Sequence, residues 1–238
     1  MFKGLYNSRF NYGLGPLDSD IVTRLSIMRS QLMATGLWAK LTDVFPLAGT
    51  SSAACAINIR NPPNRLTFAS GELATFSKLG YSSNSSGFAT CATAPQILSS
   101  FSMYLGVNAT TTPPSNDVRG LTTVAPFVVA ANSPGVCYTF SDGVTYSDLF
   151  RNTTGRVSTG TPGATSYTGT RSAGGTHRLY SNGILRASAA ANTDALADIN
   201  FWVLGSSSLR TYNFLAFGLD MTASDVLQLD QIIKIYRA

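Results

Sequence analysis

The sequence predicts a mainly β fold, an antiparallel β-sandwich of the jelly-roll type flanked by one helix near each end. Three observations carry this. After Pro46 the chain runs in short apolar alternations broken by Gly, Pro, Asn and Ser, the pattern of paired strands with tight turns. Hydrophobic residues make up 44% but charged residues only 12%, with Ser, Thr, Asn and Gly in their place, which suits side-chain-bonded turns and uncharged outer faces. Two segments alone, one early and one last, carry the three-to-four-residue spacing of an amphipathic helix.

Residues 1–17 lack both strand alternation and a helical face. They combine Phe2, Tyr6, Phe10 and Tyr12 with three glycines and end at Pro16–Leu17, and are expected to form an extended arm. Aromatic rings on such a segment are good anchors for a partner chain, so this arm is the candidate assembly element. Residues 18–238 are expected to be one sandwich domain, a size that sandwiches commonly reach.

From Asp18 a helix is expected, with Ile21, Leu25, Met28 and Leu32 on one face, Asp18 and Asp20 at its positive end and Gly36 beyond its other end. A half-buried strand follows where Phe101, Met103, Leu105 and Val107 alternate with smaller neighbours. Further strands are expected at 126–131, 136–140, 178–180, 201–204 and 214–219. The Thr, Ser and Gly stretch over 152–175 reads as a long loop or a hairpin of polar edge strands. The sharpest local signal is T-H-R-L-Y-S-N-G-I-L-R, in which Asn182 and Gly183 can both take positive φ and close a two-residue hairpin. Last, Thr222 caps a helix with Asp225 at N3 and an apolar stripe of Val226, Leu229, Ile232 and Ile233.

The early helix ending in G-L-W-A-K-L, the L-Y-S-N-G-I-L hairpin and the tail S-L-R-T-Y-N-F-L-A-F-G-L-D-M-T-A-S-D-V-L-Q-L come in an order that resembles a known family. Hairpin and tail resemble laminin-G-like, concanavalin-type modules. The whole order, with A-I-N-I-R-N-P after the first helix, is similar to structural proteins of tailed bacteriophages that carry such a module. The resemblance covers most of the chain from Asp18 and leaves the arm and the Thr-rich middle unmatched. It implies a concanavalin-like jelly roll serving as a virion component in a tail fibre, baseplate or capsid decoration, made in the host cytoplasm. Its partners would be other virion proteins and copies of itself, a trimer being expected from the threefold symmetry common in such assemblies. The alternative it implies is a receptor-binding, lectin-like protein that recognises host surface glycans.

Glycan hydrolysis by a carboxylate pair needs two acids across the scissile bond. The chain has one glutamate, Glu72, while Asp142 and Asp148 sit near turns, where aspartates usually accept turn hydrogen bonds. The only histidine, His177, lies on an expected strand, and no G-x-S-x-G or G-x-x-x-x-G-K motif is present. The expectation is therefore no catalytic residue and no enzyme, with no cofactor. Cys55, Cys91 and Cys137 are widely separated, without zinc or redox spacing, and read as small buried hydrophobes, a disulfide between two of them being the alternative. Calcium would have only Asn116 with Asp117, or Asp142 with Asp148, and no metal is expected. The net charge of +5 comes from 17 basic residues with no run among them, so no nucleic-acid partner is expected. With no 18-residue apolar run and no apolar leader, no membrane partner is expected either. For a glycan, Tyr138, Asp142, Tyr146 and Asn152 fall close together in a loop-rich region and supply a ring platform and polar groups.

Overall fold

The structure is a computed structural model that describes residues 19–68, 74–78, 80–83, 89–91, 100–107, 138–139, 144–147, 156–160, 163–173, 175–190, 201–203 and 210–238. Outside them fall the arm with Phe2, Tyr6, Phe10 and Tyr12, the expected strand at 126–131, and Glu72, Asn116, Asp117, Cys137, Asp142, Asp148 and Asn152.

The chain is a mainly antiparallel β-sandwich with an N-terminal and a C-terminal helix, as the sequence predicts. Helix α1 (Ser19–Ala34) buries Ile21, Leu25, Met28 and Leu32, the four residues of the apolar spacing. A short α2 (Leu37–Lys40) leads directly into β1 (Leu41–Phe45), and α3 is one turn (Ser52–Cys55). The remaining strands are β2 (Thr67–Phe68), β3 (Ala74–Ser77), β4 (Gly80–Ser83), β5 (Ala89–Cys91), β6 (Phe101–Val107), β7 (Tyr138–Thr139), β8 (Thr145–Ser147), β9 (Val157–Thr159), β10 (Ser166–Arg171), β11 (Thr176–Ser181), β12 (Ile184–Ala190), β13 (Phe201–Val203) and β14 (Arg210–Gly218). Helix α4 (Ala223–Arg237) closes the chain.

An eight-stranded sheet runs in the order β12-β11-β10-β6-β14-β4-β3, with β1 also paired to β14. Strand β14 is long enough to take β6 along one edge while β4 and β1 share the other. Two three-stranded sheets, β13-β5-β2 and β7-β8-β9, complete the β structure. One face of the large sheet presents Met103, Leu105, Tyr167, Leu179, Leu215 and Phe217 to a core shared with Ala89 and Cys91 of β5 and Val157 of β9. The opposite face presents Tyr104, Tyr180, Phe214 and Ala216 to the apolar stripes of α1 and α4. Adjacent side chains on a strand leave by opposite faces, so one sheet can serve both cores.

Three bulges keep that alternation in phase. Tyr212 joins the first core and Phe214 the second, although residues two apart should share a face. The pairing with β6 shifts between them, from Tyr212 opposite Val107 to Phe214 opposite Gly106, which makes Asn213 the extra residue. Similar shifts fall in β1 between Leu41 and Asp43 and in the β11–β12 ladder after Leu179.

Two expectations are corrected. The polar stretch over 152–175 is an edge only in its first half, where β9 borders the small sheet; in its second half lies β10, every residue of which is buried between β6 and β11. The polarity is accommodated because Ser166 donates to the Asp230 carboxylate of α4 and its neighbours are a tyrosine and a glycine that pack apolar surface. The strands also begin before Pro46, since β1 pairs with β14. Five apolar and polar letters between a helix and a proline carry too little periodicity to signal a strand whose partner lies far along the chain.

The N-G hairpin forms as expected. Asn182 (φ 51°) and Gly183 (φ 78°) both stand in the left-handed region, between Ser181 and Ile184 paired opposite each other. The capping box forms too: Asp225 N–H donates to Thr222 Oγ1 at 3.2 Å, and Thr222 N–H to the Asp225 carboxylate at 2.8 Å. Cys55 and Cys91 are buried free thiols, and burial pushes the Cys55 thiol up to about 12. Among the described residues no helix is long and apolar enough to cross a membrane.

Candidate functional site

Where α1 begins and α4 ends, the large sheet leaves a cavity of about 460 Å³, within the size range of small-ligand sites. Its walls come from six separate parts of the chain. Asp20, Ile21 and Arg24 project from the first turns of α1, Pro46 and Ala48 follow β1, Lys78 lies between β3 and β4, and Lys234, Tyr236 and Arg237 come from the last turn of α4. Thr165, just before β10, and Asn213, the bulge residue of β14, complete the lining. A bulge re-aims a side chain out of strand alternation, and here it delivers an amide to the cavity wall.

Arg24, Lys234, Arg237 and Thr165 are each positioned by a second group. Arg24 Nε lies 3.0 Å from Asp20 one helical turn earlier. Lys234 Nζ lies 2.7 Å from Asp230 Oδ2. Asp230 is itself buried and accepts from Tyr104 Oη at 3.0 Å and from Ser166 Oγ, which fixes α4 to the sheet. Burial pushes the Tyr104 phenol up, and the Asp230 charge adds to this, so it remains a hydrogen-bond donor. Arg237 reaches across to two strand-end carbonyls, donating to Thr165 O at 3.1 Å and Val107 O at 3.0 Å. Thr165 is held in turn by the hairpin: its N–H and hydroxyl donate to Asn182 Oδ1 at 2.9 and 3.1 Å. Tyr236 stands edge-on to Phe214, ring centres 5.9 Å apart. The result is a concave wall with a tyrosine, an amide, a hydroxyl-bearing backbone turn and four basic side chains against one carboxylate. Such a set can order a polar ligand through N–H donors without any metal ligand cluster.

None of these residues was among those the sequence singled out for binding. The basic residues at 24, 78, 234 and 237 are far apart in the chain, so a search for a run of Lys and Arg passes over them. Of the residues that were singled out, Tyr138 and Tyr146 are brought opposite each other on β7 and β8. The Arg156 guanidinium stands over the half-buried Tyr146 ring, 5.4 Å from its centre. Asp142 and Asn152 lie outside the described residues. His177 is buried on β11, with Ser147 Oγ of β8 3.0 Å from its Nε2, and so joins the small sheet to the large one. Among the described residues, no group of three or more His, Cys, Asp or Glu side chains is placed to hold a metal ion.

No protein-family profile matches the chain. No curated protein matches it. Solved structures do. A sialidase of Trypanosoma rangeli aligns over 81% of this chain and 32% of its own, with a TM-score of 0.58 at 14% identity. A botulinum neurotoxin type C, whose cell invasion depends upon interaction with two ganglioside molecules, aligns over 84% of this chain and 53% of its own (TM-score 0.62, 11% identity). The binding domain of botulinum neurotoxin DC in complex with SialylT aligns over 82% and 51% (TM-score 0.59, 11% identity). The chain thus spans about a third of the sialidase and about half of the neurotoxin chains. At this identity the likeness is one of fold, a lectin-like β-sandwich.

The expectation of a chain that is not an enzyme is corrected by the same finding. Its basis was a missing carboxylate pair and a missing base, yet sialidases share this architecture. A count of glutamates and histidines does not by itself exclude catalysis, and the aligned part is about a third of the sialidase chain. Fold kinship carries no activity either way.

Proposed function

We propose that the chain is a glycan-recognition module, with the cavity between α1, α4 and the β14 bulge as its sugar site. The observation that carries this is the wall itself: Tyr236 beside the amide of Asn213 and the fixed donors of Arg237 and Lys234, in a hollow of about 460 Å³. A sugar ring offers one apolar face and a rim of hydroxyls, and a few oriented polar groups on an otherwise closed surface are what it needs. The solved neighbours that engage gangliosides or a sialyl compound support the reading through their shared fold. The expected host of such a site is a cell-surface glycan, met also by the Tyr138, Asp142, Tyr146 and Asn152 region as a second contact face. Binding of the purified chain to a broad glycan array tests it. Asn213→Ala should weaken the retained glycans by about tenfold, the cost of one oriented polar contact. A flat array response removes the proposal.

The ordered resemblance to tailed-phage proteins favours a second, compatible placement: the module is displayed on a virion, anchored by the arm through Phe2, Tyr6, Phe10 and Tyr12, as an oligomer. The N-G hairpin and capped helix that carry the resemblance both form. Residues 1–17 and 18–238 would then be separable parts. A chain lacking residues 1–17 should keep the wild-type unfolding midpoint and fail to join its particle, and normal incorporation would refute the anchor.

A further inference from the structure

We infer that the sugar taken by the cavity is anionic, its acidic group received by Arg237; the inference rests on the glycan reading above. The four basic side chains of the wall are not equivalent. Arg24 is paired with Asp20 at 3.0 Å and Lys234 with Asp230 at 2.7 Å, so each already has a counter-charge. Arg237 does not: it is held by the carbonyls of Thr165 and Val107, and among the described residues no carboxylate forms an ion pair with it. Carbonyl oxygens orient a guanidinium but leave its full charge in place.

Two of the five guanidinium N–H donors go to those carbonyls, which leaves the others for a ligand. Their fixed planar fork matches the paired oxygens of a carboxylate, a sulfate ester or a phosphate ester. The anchoring is also built deep into the fold. Thr165, one of the two carbonyl acceptors of the mount, is held by Asn182 of the hairpin, and Val107 ends the central strand β6. The guanidinium is therefore oriented before a ligand arrives, which reduces the ordering cost of binding. The one side-chain carboxylate on the wall, Asp20, is engaged by Arg24 and so opposes an incoming anion weakly. A neutral sugar in the same place would leave the Arg237 charge facing hydroxyl dipoles alone.

Titration calorimetry of the full chain with 3′-sialyllactose, 3-O-sulfated lactose and lactose tests this. Both acidic sugars, or one of them, should bind at least about tenfold more tightly than lactose, the gain of a charge-assisted contact over a neutral one. Their affinity should fall as salt is raised from about 50 mM to about 500 mM, while that of lactose stays level. Which acidic arm binds separates a carboxylate source from an ester one. Arg237→Gln should bring the acidic sugar to the lactose level, and Arg237→Lys should recover part of the difference. Since Arg237 also ties strand ends, Lys78→Gln at an exposed wall cation serves as a second variant and should lower the acidic affinity more than that of lactose. Lactose bound as tightly as the acidic sugars, or an acidic preference untouched by both variants, overturns the inference while the glycan reading stands. No binding of any of the three overturns both.

Discussion

At Gly106 a Cβ would stand 2.5 Å from Asn213 Oδ1, 3.0 Å from the Phe214 Cβ and 3.4 Å from Arg237 Nη1. The missing side chain is what lets the bulge amide and the guanidinium meet over β6. Gly106→Ala must therefore push Asn213 off the cavity wall or open the β6–β14 ladder. A loss of about 1–3 kcal/mol in urea unfolding is expected, as for other overpacked sites, together with weaker glycan binding. Asn182 bears on the same wall from the other side. It holds φ 51°, and its Oδ1 accepts three hydrogen bonds, from the Thr165 N–H and hydroxyl and from the Ser166 N–H. Asn182→Gly keeps the turn conformation and removes only those bonds. It should cost about 1–2 kcal/mol, since buried donors lose their acceptor. An unfolding midpoint equal to wild type would show that the hairpin does not hold Thr165.

Helix α4 is the element whose ends matter most, because its last turn builds the cavity wall and its first turn carries the cap. Thr222→Ala should lower stability by about 1 kcal/mol, read from the thermal midpoint. The pH dependence follows from two aspartates with opposite signs. Burial pushes the Asp225 carboxyl up, but hydrogen bonds from Lys40, 2.5 Å away, and from Thr222 outweigh it, and the net displacement is downward. A folded-state value below the unfolded one means that the folded chain binds fewer protons there. Asp225 thus contributes stability above the unfolded value of about 4, lost as pH falls through the folded value. Asp225→Asn should destabilise the protein at neutral pH and flatten that acid limb. Burial raises Asp220 instead, with Arg178 a distant partner at 4.0 Å. Its contribution is larger in acid and declines as pH rises from about 4 through its folded value, so Asp220→Asn should lose nothing at neutral pH.

The same helix shows which elements could be read in advance. Its cap, its stripe and the N-G turn are signals among residues within a few positions of one another, and all three formed where the sequence placed them. Strand β10 was not legible, because S-Y-T-G-T-R owes its burial to β6, β11 and the Asp230 carboxylate, all distant in the chain. The cavity was invisible for the same reason. Arg24, Lys78 and Arg237 meet only after β14 has bulged at Asn213, and no spacing rule anticipates a bulge from one sequence. The tyrosines at 138 and 146, by contrast, were close in sequence and came out opposite each other.

At the scale of the whole molecule the large sheet has a core on each face, and the two are joined through single strands rather than through a shared interior. Strand β14 supplies Leu215 and Phe217 to one core and Phe214 and Ala216 to the other, and β6 divides its side chains in the same way. Loss of either core therefore withdraws support from strands that the other needs, and unfolding should be one cooperative event. Trp38 gives a local reporter: it packs against the helix-side core with the guanidinium groups of Arg29 and Arg60 at 5.4 and 5.5 Å from its ring centre. In a Trp202→Phe background Trp38 is the sole tryptophan, and its fluorescence follows the helix side while near-ultraviolet dichroism draws also on the buried Tyr81, Tyr167 and Tyr212 of the opposite core. The two urea curves should coincide. Phe217→Ala on one face and Ile233→Ala on the other should each shift both curves together, by about 2–5 kcal/mol for a large-to-small change in a packed core. If Ile233→Ala moved the Trp38 curve and left the dichroism curve in place, the helices would be a separately melting layer. The cavity between α1, α4 and the sheet could then open without unfolding the sandwich.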